Sequence, residues 1–146
     1  MTKEETLAAI LQAKKAHQFQ MQKIEQAILG EKVDNPTALS KKECDFGHWL
    51  YGDMETKVLL GEQFFHKLDI AHERWHYEYK RIYDIFFANE KKSFFSGIFS
   101  KSGISEMERD KAKLYYTELQ ETTKELLQIL AACNRRISAL NESKFH

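Results

Sequence analysis

Proline is almost missing from this sequence: Pro36 is the single one in 146 residues, and only six glycines accompany it. A chain so poor in helix breakers can run long helices, and the lack of alternating Val/Thr-rich runs argues against sheet. Charge of one sign is missing too, since 22 Lys and Arg balance 22 Asp and Glu. That removes the general attraction that nucleic acid or an anionic membrane surface would reward, so neither partner is expected. No uncharged apolar run approaches the ~20 residues of a membrane span, and no signal-like stretch follows Met1-Thr2-Lys3-Glu4-Glu5-Thr6. The expectation is a cytoplasmic protein without membrane insertion. Cysteine is scarce as well, with Cys44 and Cys133 alone. In the cytoplasm these are read as thiols or metal ligands, with a Cys44–Cys133 disulfide as the alternative.

What is present is helical. The length suits one domain, 1–146, with a real core. Leu7, Ile10, Lys14, His17, Met21, Ile24 and Ile28 recur with helical spacing, and Gly30 closes the stripe as a C-cap. Asp34, Asn35 and Pro36 mark a connection. Ser40-Lys41-Lys42-Glu43 reads as a capping box that starts a short helix with Cys44 in its first turns, and Gly52-Asp53 ends it. A long third helix carries Phe64, Leu68, His72, Trp75, His76, Tyr79, Tyr83 and Phe86 on one face. The segment 91–103 breaks the pattern with Ser and Gly yet keeps Phe94, Phe95, Ile98 and Phe99, an apolar content suited to packing on the bundle or on a partner. Ser105-Glu106-Met107-Glu108 opens the last helix, whose stripe is Tyr115, Leu119, Thr122, Leu126, Ile129, Cys133, Ile137 and Leu140. The expected fold is all-α: an antiparallel four-helix bundle of three long helices and one short Cys-bearing helix.

Four polar groups interrupt these apolar stripes. His72 and His76, at i and i+4, project side by side and can grip one ion, and His17 and Cys44 lie on two other helices. Any one histidine on a core stripe is commonly a hydrogen-bonded core residue. Three such histidines with a cysteine at a helix start, where the dipole favours thiolate, make a tetrahedral zinc shell of His17, Cys44, His72 and His76.

The run Cys44-Asp45-Phe46-Gly47-His48-Trp49-Leu50, followed by His72-Glu73-Arg74-Trp75-His76 and preceded by His17, resembles the chemoreceptor zinc-binding (CZB) domain family. The resemblance covers most of the chain from His17 to the end of the third helix. It implies a bundle holding one zinc through three His and one Cys, used in cytoplasmic sensing of zinc or oxidants beside chemoreceptor or diguanylate cyclase modules. Two features depart from the family's pattern. Gln20, next to Phe19, stands where many members have an aromatic residue, and no output module is visible in the sequence. The function expected is therefore a sensory or regulatory zinc domain that acts through a separate signalling protein, of the chemotaxis or cyclic-di-GMP type. A homodimer is expected to hide the apolar 91–103 segment.

Other residues have plainer explanations. His48 and His66 fall off the ligand faces and are expected in solvent, Cys133 fills a small core position, and Trp49 and Trp75 anchor the core. Gly47 and Phe46 let the short helix pack closely enough for Cys44 to reach the metal. A structural zinc serving only dimerisation is the alternative function. A metalloenzyme would need an open coordination position and a carboxylate base, for which Glu43 and Glu73 are the neighbours, and a di-iron carrier would need bridging carboxylates that the helices lack.

Overall fold

Thr2 starts the first helix by a reciprocal cap: its hydroxyl accepts from the Glu5 N–H while the Glu5 carboxylate accepts from the Thr2 N–H. In the computed structural model, which describes residues 1–33, 37–87 and 104–146, this helix is α1, Lys3–Ile28. It ends as its sequence predicts. Gly30 takes φ +87°, its N–H reaches the Ala27 carbonyl and the Glu31 N–H reaches that of Gln26, a Schellman closure. The buried side of α1 runs through Thr6, Ile10, Ala13, His17, Met21 and Ile24, so Ala13 takes the core position and Lys14 points to solvent.

The Cys-bearing helix starts later than the sequence suggested. Ser40 does not cap it: the Ser40 hydroxyl accepts from the Lys42 N–H and its carbonyl from the Glu43 N–H, which makes a turn. Cys44 is itself the N-cap of α2, Asp45–Gly52, its Sγ accepting the Gly47 N–H at 3.2 Å. A further short helix, α3, Met54–Leu60, follows, capped by the Asp53 carboxylate. Gly61, at φ +81°, breaks the chain before the long α4, Glu62–Phe86. There Arg136 donates from Nε to the Leu59 carbonyl, satisfying the end of α3.

Ser105 caps α5, Glu106–Ala139, by accepting from the Glu108 N–H, and a 3-10 turn covers Glu142–Lys144. The described residues are thus all-helical, three long helices and two short ones, and they form the bundle expected. α5 lies along both α4 and α1, and the short α2 packs closest on α1 and α3. Leu68, Trp75, Tyr79 and Ile82 of α4 meet Leu119, Leu126, Leu130, Cys133 and Ile137 of α5 in a core from which water is excluded. Each large side chain buried there contributes about 1.5–3 kcal/mol. Trp75, fully buried, still satisfies its indole N–H on the Thr123 hydroxyl at 2.9 Å. Asp34, Asn35, Pro36 and the apolar 91–103 segment lie outside the described residues. Among the described residues no helix is long and apolar enough to cross a membrane.

Candidate metal centre

The three histidines of the stripes come together inside the bundle. His17, His72 and His76 are each at least nine-tenths buried, and one ring nitrogen from each lies within 4.8 Å of the others. Cys44 joins them from α2, its Sγ 3.3 Å from His72 Nε2. His48 and His66 are exposed, as are Glu43 and Glu73. Both cysteines are free thiols, so the disulfide alternative is not realised.

Each imidazole is oriented by a partner on its far side. His17 donates from Nδ1 to the Ala13 carbonyl one turn back at 2.7 Å, and His76 donates from Nδ1 to the Leu39 carbonyl at 3.1 Å. His72 has Nδ1 3.4 Å from the Tyr51 hydroxyl. That hydroxyl donates its own proton to Asp69 Oδ1 at 2.7 Å, so its oxygen is left to accept from His72. With Nδ1 protonated in all three rings, the Nε2 atoms carry lone pairs.

The consequence is electrostatic. His72 and His76 bring Nε2 atoms 3.0 Å apart, with the Cys44 sulfur beside them. Lone pairs facing one another in a buried space repel unless a cation lies between them. A tetrahedral zinc, with bonds of about 2.0–2.1 Å to nitrogen and about 2.3 Å to sulfur, spaces neighbouring donors by roughly 3.3–3.6 Å, which matches the 3.3 Å from Cys44 to His72 and would part His72 and His76 slightly from their 3.0 Å. The donor set therefore fits a zinc ion. The outer partners match the usual arrangement in which a ligating histidine gives its other N–H to an oxygen.

Burial holds the imidazoles neutral. It lowers the pKa of His17, and it lowers those of His72 to about 2 and His76 to about 4, with neighbouring imidazoles adding to the effect. Burial also pushes the Cys44 thiol up, opposed by the N–H groups of Gly47 and Phe46 at the start of α2. The helix start alone does not make the thiolate that the sequence suggested. A cation has to supply the remainder.

Phe46 places its ring edge on His72 and His17, with centroids 4.8 and 5.8 Å away, and stacks on Trp49. Gly47 serves a close approach of a different kind from the one expected. A Cβ there would stand 1.7 Å from the Lys41 carbonyl oxygen, so the absent side chain lets the 40–43 turn fold back over α2 and does not face the bundle. Gln20 accepts the Thr37 N–H at 3.2 Å, which ties the start of the next described stretch to α1. Leu39, Lys41, Glu73, His76, Tyr77 and Lys80 border an open cleft of about 290 Å³, with His76 at its inner edge.

Residues 17–83 match the family model of the chemoreceptor zinc-binding domain. All four donors lie inside that span, and the resemblance read from the sequence holds over it. The comparisons with curated proteins and with solved structures gave no match. Residues 17–83 are therefore similar to a zinc-binding domain, and the His17, His72 and His76 cluster and Cys44 lie within them. Sequence reading missed the outer partners Tyr51 and Asp69. Their signals were faint: Asp69 stands three residues before His72 on one helical face, and Tyr51 stands two turns after Cys44.

Proposed function

We propose that the chain is a zinc-binding sensory or regulatory domain that holds one zinc through His17, Cys44, His72 and His76 and has no catalytic activity of its own. The observation that carries this reading is the convergence of three buried imidazoles, with the Cys44 sulfur beside His72. Four protein donors leave no open position for substrate or activated water, which favours binding over catalysis. The signal in this reading is zinc availability or oxidation of Cys44, and either acts by changing whether α2 is tied to the bundle. The output then passes to a separate protein in signalling of the chemotaxis or cyclic-di-GMP type, from a cytoplasmic homodimer. The family to which residues 17–83 are similar supports the signalling half of the proposal.

Elemental analysis of the protein purified without added metal tests the core of this. One zinc per chain is expected, falling when any of the four donors is replaced by Ala, while His48→Ala and His66→Ala keep it. Full zinc in Cys44→Ala refutes the ligand set. Sedimentation at several concentrations tests the homodimer.

A further inference from the structure

Both ends of the Cys44 segment reach one carboxylate oxygen. From the turn before Cys44, Lys41 Nζ extends to Asp69 Oδ1 at 2.8 Å, and to Glu73 Oε1 at 3.5 Å. From α2, Tyr51 donates to the same Asp69 Oδ1 at 2.7 Å and stands 3.4 Å from His72 Nδ1. Asp69 lies one turn before His72 on α4, so all of these groups meet on one face of that helix. Lys41 has a second hold on the segment: its carbonyl faces Gly47 in the closest approach in α2 and lies 3.5 Å from Cys44 Sγ. The Lys41 ammonium also sits 5.3 Å from the Tyr51 ring centroid, which closes the group. α2 packs its backbone on α1 and α3, so its attachment to α4 runs through side chains.

We infer that Asp69 is a positioning residue for the metal centre: through Lys41 and Tyr51 it latches the Cys44 segment to α4 and fixes the His72 ring with Nε2 inward. This deepens the proposed function and rests on its ligand set. The latch uses no atom of the ion, so it favours Cys44 and His72 facing each other before zinc arrives. Part of the ordering of α2 then precedes binding, and affinity is higher than in a site whose thiol arm must first be captured. A carboxylate accepting from both an ammonium and a phenol holds this geometry better than a neutral amide would, because charge-assisted hydrogen bonds are about twice as strong.

The test uses Asp69→Asn and Tyr51→Phe, two near-isosteric changes outside the ligand set. Zinc affinity is measured by competition with a chromophoric chelator. In the zinc-free protein, alkylation rates of Cys44 and Cys133 are followed separately by mass spectrometry. Expected are saturation at one zinc per chain, an affinity lowered by roughly tenfold to a hundredfold, and faster alkylation at Cys44 with Cys133 unchanged. Unaltered affinity overturns the latch, as does lower affinity with an unaltered Cys44 rate. Equal acceleration at Cys133 also overturns it, since that marks general loosening. Failure of the ligand set itself would appear elsewhere, as full zinc affinity in Cys44→Ala or His72→Ala.

Discussion

Replacing Gly47 by Ala inverts the usual sign of a glycine-to-alanine change in a helix. In an exposed helix the exchange stabilises by about 1 kcal/mol, because alanine loses less backbone entropy. Here the new Cβ would stand 1.7 Å from the Lys41 carbonyl oxygen and 3.2 Å from the Lys42 Cα. These are backbone atoms, which cannot rotate aside as a long side chain would. The 40–43 turn has to withdraw by about 1.5 Å to restore contact distance, at an overpacking cost of about 1–3 kcal/mol. The movement also pulls on the Cys44 cap, whose Sγ accepts the Gly47 N–H, and loss of a cap costs about 1 kcal/mol more. The helix-propensity gain offsets only part of this. The net expectation is a loss of about 1–3 kcal/mol, or about 3–9 °C in thermal midpoint for a chain of this size. Zinc affinity should fall further, because donor distances in a metal site tolerate only about 0.2 Å. Thermal denaturation with and without zinc, beside chelator competition, measures both effects. A Gly47→Ala protein as stable as the parent, with unchanged zinc affinity, would refute the reasoning from the close approach.

Zinc uptake near pH 7 should release about one proton, because burial keeps the three imidazoles neutral while it holds Cys44 as a thiol; titration calorimetry in buffers of different ionisation enthalpy counts it, and a count near zero or two contradicts the assignment. Hypochlorite or peroxide should modify Cys44 and release zinc while sparing Cys133, which is fully buried and whose thiol is raised to about 11 by burial; mass spectrometry locates the modified residue, and oxidation confined to Cys133 argues against a redox role. Thr123→Val should cost about 1–3 kcal/mol by leaving the Trp75 indole N–H unpaired in the core, read as a lower unfolding midpoint in urea with zinc stoichiometry unchanged. Removing zinc should raise hydrogen exchange mainly in residues 40–52 and around His72 and His76, whereas an even loss of protection in α1, α4 and α5 would identify the ion as a structural staple.

The sequence carried the stripes because buried positions in long helices repeat every three to four residues, and His17, His72 and His76 stood on those stripes. It carried them imperfectly where a small residue competes with a long one: Ala13 is buried, and the neighbouring Lys14 is not. The start of α2 was misplaced for a definite reason. Ser40 followed by Glu43 has the pattern of a capping box, whereas cysteine is not among the usual capping residues. Cys44 nevertheless offers a sulfur acceptor to the Gly47 N–H, so its backbone leaves the helix one residue before Asp45. The break at Gly61 was also illegible, because what holds it, Arg136 on the Leu59 carbonyl, comes from 77 residues away. Tyr51 and Asp69 escaped notice for the same cause: their role depends on two helices meeting, which no local spacing encodes.

How much a bound ion could change follows from the unequal packing of the helices. α4 and α5 share a long apolar interface with Trp75, Tyr79, Leu119 and Leu126 at its centre, and it needs no metal to exclude water. α2 has eight residues, fewer than the ~12–15 at which an isolated helix becomes even marginal, and it reaches α4 through Cys44, Phe46 and Tyr51. An ion held by Cys44 on one side and His72 and His76 on the other would span the junction between α2 and α4, which these side chains make. Turning such a junction from 1:99 to 99:1 closed requires about 5.5 kcal/mol of preferential binding. Zinc sites closed by four protein ligands bind with about 10–16 kcal/mol, so the requirement is met with a margin. A hundredfold loss of affinity removes only about 2.8 kcal/mol and would leave that margin positive. Variants of the latch at Asp69 should therefore shift the zinc concentration at which α2 docks without abolishing docking, whereas loss of the Cys44 donor removes the zinc-dependent part of the link between α2 and α4 at any zinc concentration.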